Sequence, residues 1–256
     1  MKKEDMREIK EIGSMLLEVG TLLMSSGATT FRVRNTVTRI SETFGYNAEM
    51  LITNRALTLS LSEEDNQHFF NSLKRTSPHG VNFRIVSGIS RMSWRVVEEN
   101  WTLAQINQEL DRLTSLPHYP RLLILAVVSL AGASFCRLFG GDMLEMGVAF
   151  TASFVGLFIR QEAMKKEFNP YLCVFFAAFT ASLISGFFRA IGLGITMEHA
   201  FTASVLFLIP GVPLINSFSD LIDGNILNGI VRGINGFMIA FAIALGLLGA
   251  MIIYRF

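Results

Sequence analysis

Apolar positions early in the chain follow a helical period. Ile9, Ile12, Leu16, Val19 and Leu23 predict an amphipathic helix over roughly residues 4–26. Gly27 suits its C-terminal cap. Thr29 or Thr30 can cap a second helix, with Val33, Val37, Ile40 and Phe44 along one face and Gly45 at its end. The period then drops to two. Residues 49–53 and 56–62 read as strands, the second in strict alternation, and 69–76 as a third. Ser77-Pro78-His79-Gly80 reads as a turn. Val81, Ile85, Ile89, Met92 and Val96 mark a helix over 81–99. Thr102 with Gln105 forms a capping-box pattern, opening a last amphipathic helix through Leu103, Ile106, Leu110 and Leu113.

After Leu116-Pro117-His118-Tyr119-Pro120 the pattern changes again. Five long apolar stretches follow, roughly 121–140, 143–160, 170–192, 199–220 and 227–254. About 20 apolar residues suffice to cross a bilayer. The second stretch is short and carries Glu145, which makes it the weakest. The expectation is an α-helical integral membrane protein. About five transmembrane helices (117–256) follow a small cytoplasmic α+β domain (1–116).

The fourth stretch is interrupted by Pro210-Gly211-Val212-Pro213. Two prolines three apart cannot share an unbroken helix, because each lacks an N–H and clashes with the carbonyl four residues earlier. The carbonyls of Leu206 and Ile209 then need other partners. Asn216, Asp220, Asp223 and Asn225 follow at once. Broken helices beside polar residues are where transporters often build substrate sites. The half-helix after Pro213 suits an anion at its N-terminus. Pro210, Gly211, Pro213, Asn216, Asp220, Asp223 and Arg232 are therefore the expected substrate and ion pathway. Asp220 or Asp223 could pair with Arg232, and either carboxylate could exchange protons if partly buried.

Other features have plainer explanations. Gly229 and Gly233 form a Gly-x-x-x-Gly face for close helix packing, with a partner helix in this chain or another. Arg137 and Arg189 fit side chains that snorkel to the outer interface, the other reading being that one or both face a cavity and attract a carboxylate substrate. Arg32 and Arg39 lie off the apolar face of the second helix and could attract anions on the cytoplasmic side.

Composition sharpens the division. Of the 22 Lys and Arg and the 21 Asp and Glu, 14 each fall in residues 1–116. The mean hydropathy of +0.44 hides this contrast. The net charge of +1, with mixed signs, argues against nucleic acid. Cys136 and Cys173 sit in apolar segments and form no motif. His68, His79, His118 and His199 lack metal-ligand spacing, so neither metal nor cofactor is expected. The charged start has no signal-peptide core, so the first domain is expected in the cytoplasm. Arg121, Arg160, Lys165 and Lys166 lie where a cytoplasmic N-terminus requires them. Phe256 then ends outside.

Two motifs carry a resemblance. Ser25-Ser26-Gly27-Ala28-Thr29-Thr30-Phe31-Arg32-Val33 resembles the Ser-Gly-Ala-x-x-x-x-Val signature of the threonine/serine exporter (ThrE) family. Leu208 to Asn216, with Asp220-Leu221-Ile222, resembles its Pro-Gly-x-Pro-Leu-x-Asn segment. Full-length members have about ten spans, so this chain resembles the half-length, YjjP-type branch. That resemblance implies a multi-pass protein of the bacterial inner membrane. It implies a smaller YjjB-like membrane partner supplying the second half, and an oligomer. It implies ion-driven export of small carboxylates: threonine and serine, or succinate in the split members. No Gly-x-x-x-x-Gly-Lys-[Ser/Thr] points to ATP. Two rivals stand beside it. One is a membrane-anchored enzyme with a hydrolase-like domain, though Ser26 and Thr29 lack a Gly-x-Ser-x-Gly elbow. The other is a non-transporting scaffold, which predicts a filled interior at Pro210–Pro213.

Overall fold

A computed structural model describes residues 2–63, 69–76, 80–117, 119–191 and 198–254, without the side chains of residues 2–5. Residues 77–79 of the expected turn, His68 and His118, most of the loop before His199, and Phe256 lie outside the described residues.

The chain divides into two compact units. The first joins Met1–Pro117 to Val212–Gly233, and the second joins His118–Gly211 to Ile234–Phe256. The chain is mostly helical, with one small sheet.

In the first unit, α1 (Lys2–Ser25) and α2 (Thr30–Thr43) pack against three strands, β1 (Asn47–Thr53), β2 (Ala56–Ser62) and β3 (Phe69–Arg75). The strands form an antiparallel meander in the order β1-β2-β3. Alternation along β2 turns Leu57, Leu59 and Leu61 inward, and all three are fully buried. They meet Ile12, Leu16, Val19 and Leu23 of α1 and Val33, Val37 and Ile40 of α2 in one core. Helices α3 (Phe83–Glu99) and α4 (Leu103–Thr114) add Ile89, Met92 and Ile106. Asn82 caps α3 by accepting from the amides of Arg84 and Ile85. The helix therefore starts two residues later than its apolar spacing suggests, and Val81 lies outside it. The capping box of Thr102 and Gln105 forms as its spacing predicts.

In the second unit, α5 (Arg121–Leu138), α6 (Met143–Lys165), α7 (Pro170–Ala190) and α8 (Glu198–Ala203) pack closely through small residues. Ala152, Ala177, Ala178 and Ala181 are fully buried. A Cβ on Gly156 would lie 3.0 Å from the Ala177 carbonyl, so glycine sets that approach. Helix α6 is longer than the stretch 143–160. Glu145 does not weaken it, because Asp142 and Glu145 form the capping box at its start. A single 3-10 turn (Leu206–Leu208) leads to α9 (Gly211–Ile222), and α10 (Ile226–Tyr254) ends the described chain.

Four described helices are long and apolar enough to cross a membrane: α5, α6, α7 and α10. A fifth span requires counting Glu198–Leu208 and Gly211–Ile222 as one bent pair. The expected fourth stretch, 199–220, is thus two pieces. Its freed carbonyls are met locally: the Ile209 N–H donates to Leu206 O at 3.1 Å, and the Gly211 N–H to Ile209 O at 2.9 Å. Pro213 then sits in the first turn of α9, where its missing N–H costs nothing.

Candidate functional site

Helix α1 ends in a left-handed glycine. Gly27 has φ +89°, the Ala28 N–H reaches Leu23 O, and the Gly27 N–H reaches Met24 O. This pairing defines a Schellman motif. Two residues on, the Thr29 hydroxyl accepts from the Arg32 N–H and caps α2. The turn leaves the carbonyls of Gly27 and Ala28 and the amide of Thr30 without helical partners.

Those groups are taken by α9 and the first turns of α10. Asn216 Nδ2 donates to Gly27 O at 2.8 Å. An Nη of Arg232 donates to Ala28 O at 3.0 Å. The Thr30 N–H donates to Asp220 Oδ1 at 2.9 Å. Asn228 Nδ2 donates to Thr30 Oγ1 at 3.2 Å and to Ile52 O in β1 at 2.9 Å. On the rim, Arg34 donates to Asn225 Oδ1 at 3.3 Å. The second Asp220 oxygen lies 3.1 Å from the other Nη of Arg232. Asp220 is fully buried.

The electrostatics favour this arrangement. No acidic residue occupies the first turn of α2. Asp220 supplies the missing negative charge from elsewhere in the chain, at the positive end of the helix dipole. Arg232 balances the same carboxylate. A buried carboxylate is tolerated only when paired and hydrogen-bonded, and both conditions are met. The result is a clasp: two polar residues of α9 and two of α10 grip the Gly27–Thr30 turn. Each pair has i, i+4 spacing, Asn216 with Asp220 and Asn228 with Arg232, so each occupies one helix face.

The expected site residues divide accordingly. Asn216, Asp220 and Arg232 come together on the turn, with Asn216 and Asp220 directed at backbone groups. Asp223 is exposed and stands apart. Pro210 is buried, and nothing lies within 4 Å of where a Gly211 Cβ would be. Gly229 and Gly233 face α9 of the same chain: a Cβ on Gly229 would lie 3.0 Å from Ser217 O, and one on Gly233 2.9 Å from Ser217 Oγ. Ser217 also donates to Gly229 O at 2.6 Å. Arg32 is exposed on α2. Arg39 is engaged within the domain, donating to Ser93 Oγ at 2.8 Å and stacking 3.8 Å above the Trp94 ring. Asn228 and the turn's backbone were absent from the expected site. The signal for Asn228 was present in its spacing from Arg232.

Four helices long and apolar enough to cross a bilayer, with a polar clasp beside a bent helix pair, are the features of a multi-pass membrane protein. The family follows from sequence comparison: the chain belongs to the threonine/serine exporter family, whose model, described as "Putative threonine/serine exporter", matches residues 14–254. It is a transporter and not an enzyme. A "Probable succinate transporter subunit YjjP" of Klebsiella aerogenes is 27% identical over 249 residues, covering 96% of this chain and 95% of that one. The protein of the same description in Escherichia coli strain K12 is 26% identical over 256 residues, covering 99% and 98%. No solved structure gives a significant match.

Proposed function

We propose that this chain is one half of a secondary transporter. It exports small carboxylates (threonine and serine, or a succinate-like dicarboxylate) across the bacterial inner membrane. A smaller membrane partner supplies the remaining spans. Residues 1–116 form a cytoplasmic domain, and residues 117–256 form the transmembrane domain. Relatives described as subunits of a succinate transporter support the need for a partner.

One observation carries the mechanism: the Asp220 carboxylate rests on the Thr30 amide and beside Arg232. Both groups are typical partners of a carboxylate ligand. Asp220 acts as an internal stand-in for substrate and holds the turn against α9 and α10. An incoming substrate carboxylate competes for the same donors, frees Asp220 and opens the clasp. Arg32, exposed in the first turn of α2, draws the anion in. Asn216 and Asn228 restore the closed state after release.

The test is efflux of radiolabelled succinate, threonine and serine from membrane vesicles carrying the chain with its partner. Asp220→Asn and Arg232→Gln should each impair efflux, while Asp223→Asn, at an exposed position, should not. Wild-type efflux from both clasp variants would overturn the mechanism. Efflux by this chain alone would overturn the half-transporter reading.

A further inference from the structure

We propose that Glu145 and His199 form the proton-binding pair that couples transport to the proton gradient, a site separate from the clasp. The inference rests on the transport reading above. Glu145 lies in the first turn of α6 and is 5% exposed. Its two carboxylate oxygens lie 3.4 and 3.3 Å from Nδ1 of His199, the second residue of α8. The His199 side chain is 37% exposed. The pair therefore joins a buried acid to an imidazole that reaches water.

The capping box explains only half of this. Asp142 Oδ1 accepts the Glu145 N–H at 2.7 Å, and Glu145 Oε2 accepts the Asp142 N–H at 3.1 Å. Glutamine at position 145 would serve equally well. The box requires neither a charge nor a histidine. Gly141 beside the box is required by Cys136, since a Cβ there would fall 2.5 Å from Cys136 Sγ and 2.8 Å from Cys136 O, and it also lets the chain pass close to the carboxylate, with Glu145 Oε2 at 3.2 Å. Among the described residues, the other charged groups at this end of the bundle are Arg137, Asp142, Arg189 and Glu198, and the Cys136 thiol also faces Glu145. Arg137 donates to Gly141 O at 3.1 Å. Ionisable residues inside membrane spans mark proton relays when they pair, and imidazole is the side chain that changes charge near neutral pH.

With the N-terminus in the cytoplasm, this end faces outside, where the gradient delivers protons. A proton taken from water at Nε2 of His199 lets the proton on Nδ1 pass to the Glu145 carboxylate. One proton is bound in the outward state and released in the inward state, and one carboxylate substrate leaves the cell.

Glu145→Gln keeps the capping box and removes the acid, and His199→Gln removes the imidazole. Membrane vesicles carrying the whole transporter give two readouts: gradient-free counterflow of radiolabelled succinate, threonine or serine, and accumulation driven by an imposed pH gradient. The wild type should show both. Each variant should retain counterflow and lose gradient-driven accumulation. Retained accumulation in both variants overturns the inference, as does loss of counterflow together with accumulation in a folded variant. A wild type without counterflow overturns the transport reading itself, and this inference with it.

Discussion

Asp220 accepts the backbone N–H of Thr30 at 2.9 Å, across 190 residues of sequence. It is the acidic cap that α2 lacks in its own first turn. The two stretches that carry the resemblance thereby meet: the Gly27–Thr30 turn is held by Asn216 and Asp220 of α9, together with Asn228 and Arg232 of α10.

Removing either charge of the clasp leaves the other buried. Asp220→Ala and Arg232→Ala should each destabilise the protein by about 3–5 kcal/mol. The double replacement Asp220→Ala with Arg232→Ala should cost less than the sum of the single changes, because no unpaired charge remains. Thermal unfolding in detergent, arranged as a double-mutant cycle, measures this directly.

Asn228→Leu removes both donated hydrogen bonds and strands the Ile52 carbonyl. The expected loss is about 1–3 kcal/mol. Hydrogen exchange should show weaker protection at β1 and at the start of α2, with little change in α4.

Gly229→Ala forces a methyl against Leu221 and Ser217 O, and overpacking of this kind costs about 1–3 kcal/mol. Gly147→Ala is the control, since nothing lies within 4 Å of its added Cβ. There, replacing glycine in a helix should gain about 0.5–1 kcal/mol. Unfolding midpoints should move in opposite directions for the two variants.

Arg112 donates to both oxygens of Glu109 at 2.6 Å, and this holds the Glu109 carboxyl below its ordinary range. A lowered folded value means the contribution is complete above the unfolded range, roughly pH 4.3. It fades as the pH falls through the lower folded value. For a pair this exposed on the Arg112 side, the contribution is small and screened by solvent. Glu109→Gln should remove that acid-side slope in a pH series of unfolding midpoints.

The elements of the first unit were legible because their apolar periods are clean and their caps are local. Gly27, Thr29 and the Thr102–Gln105 box all act within a few residues of themselves. The break at Pro210–Pro213 was equally plain, since proline excludes itself from helix interiors. Glu145 misled: Asp142-x-x-Glu145 is a capping pattern, yet a charge near an apolar run reads first as a mark against a span. The partners of Arg39 were hidden for a different reason. Nothing local in the sequence shows that Trp94 and Ser93, on another helix, would take its guanidinium. The clasp was half visible. The polar residues after the break stood out, but their partners are backbone groups of a turn some 190 residues away, and backbone leaves no mark on composition. Asn228 was hidden in the same way.

The central claim is that the clasp must open for transport. Thr30→Cys with Asn228→Cys puts one thiol near the Oγ1 position of Thr30 and the other near the Cγ position of Asn228, two side chains that meet at 3.2 Å between Oγ1 and Nδ2. Cys136 and Cys173 are buried and stay out of reach. Oxidising this pair in vesicles should lock the turn to α10 and stop efflux of labelled carboxylate, and reductant should return efflux to the rate of the unoxidised double variant. Efflux at the wild-type rate from the fully cross-linked protein would contradict the account.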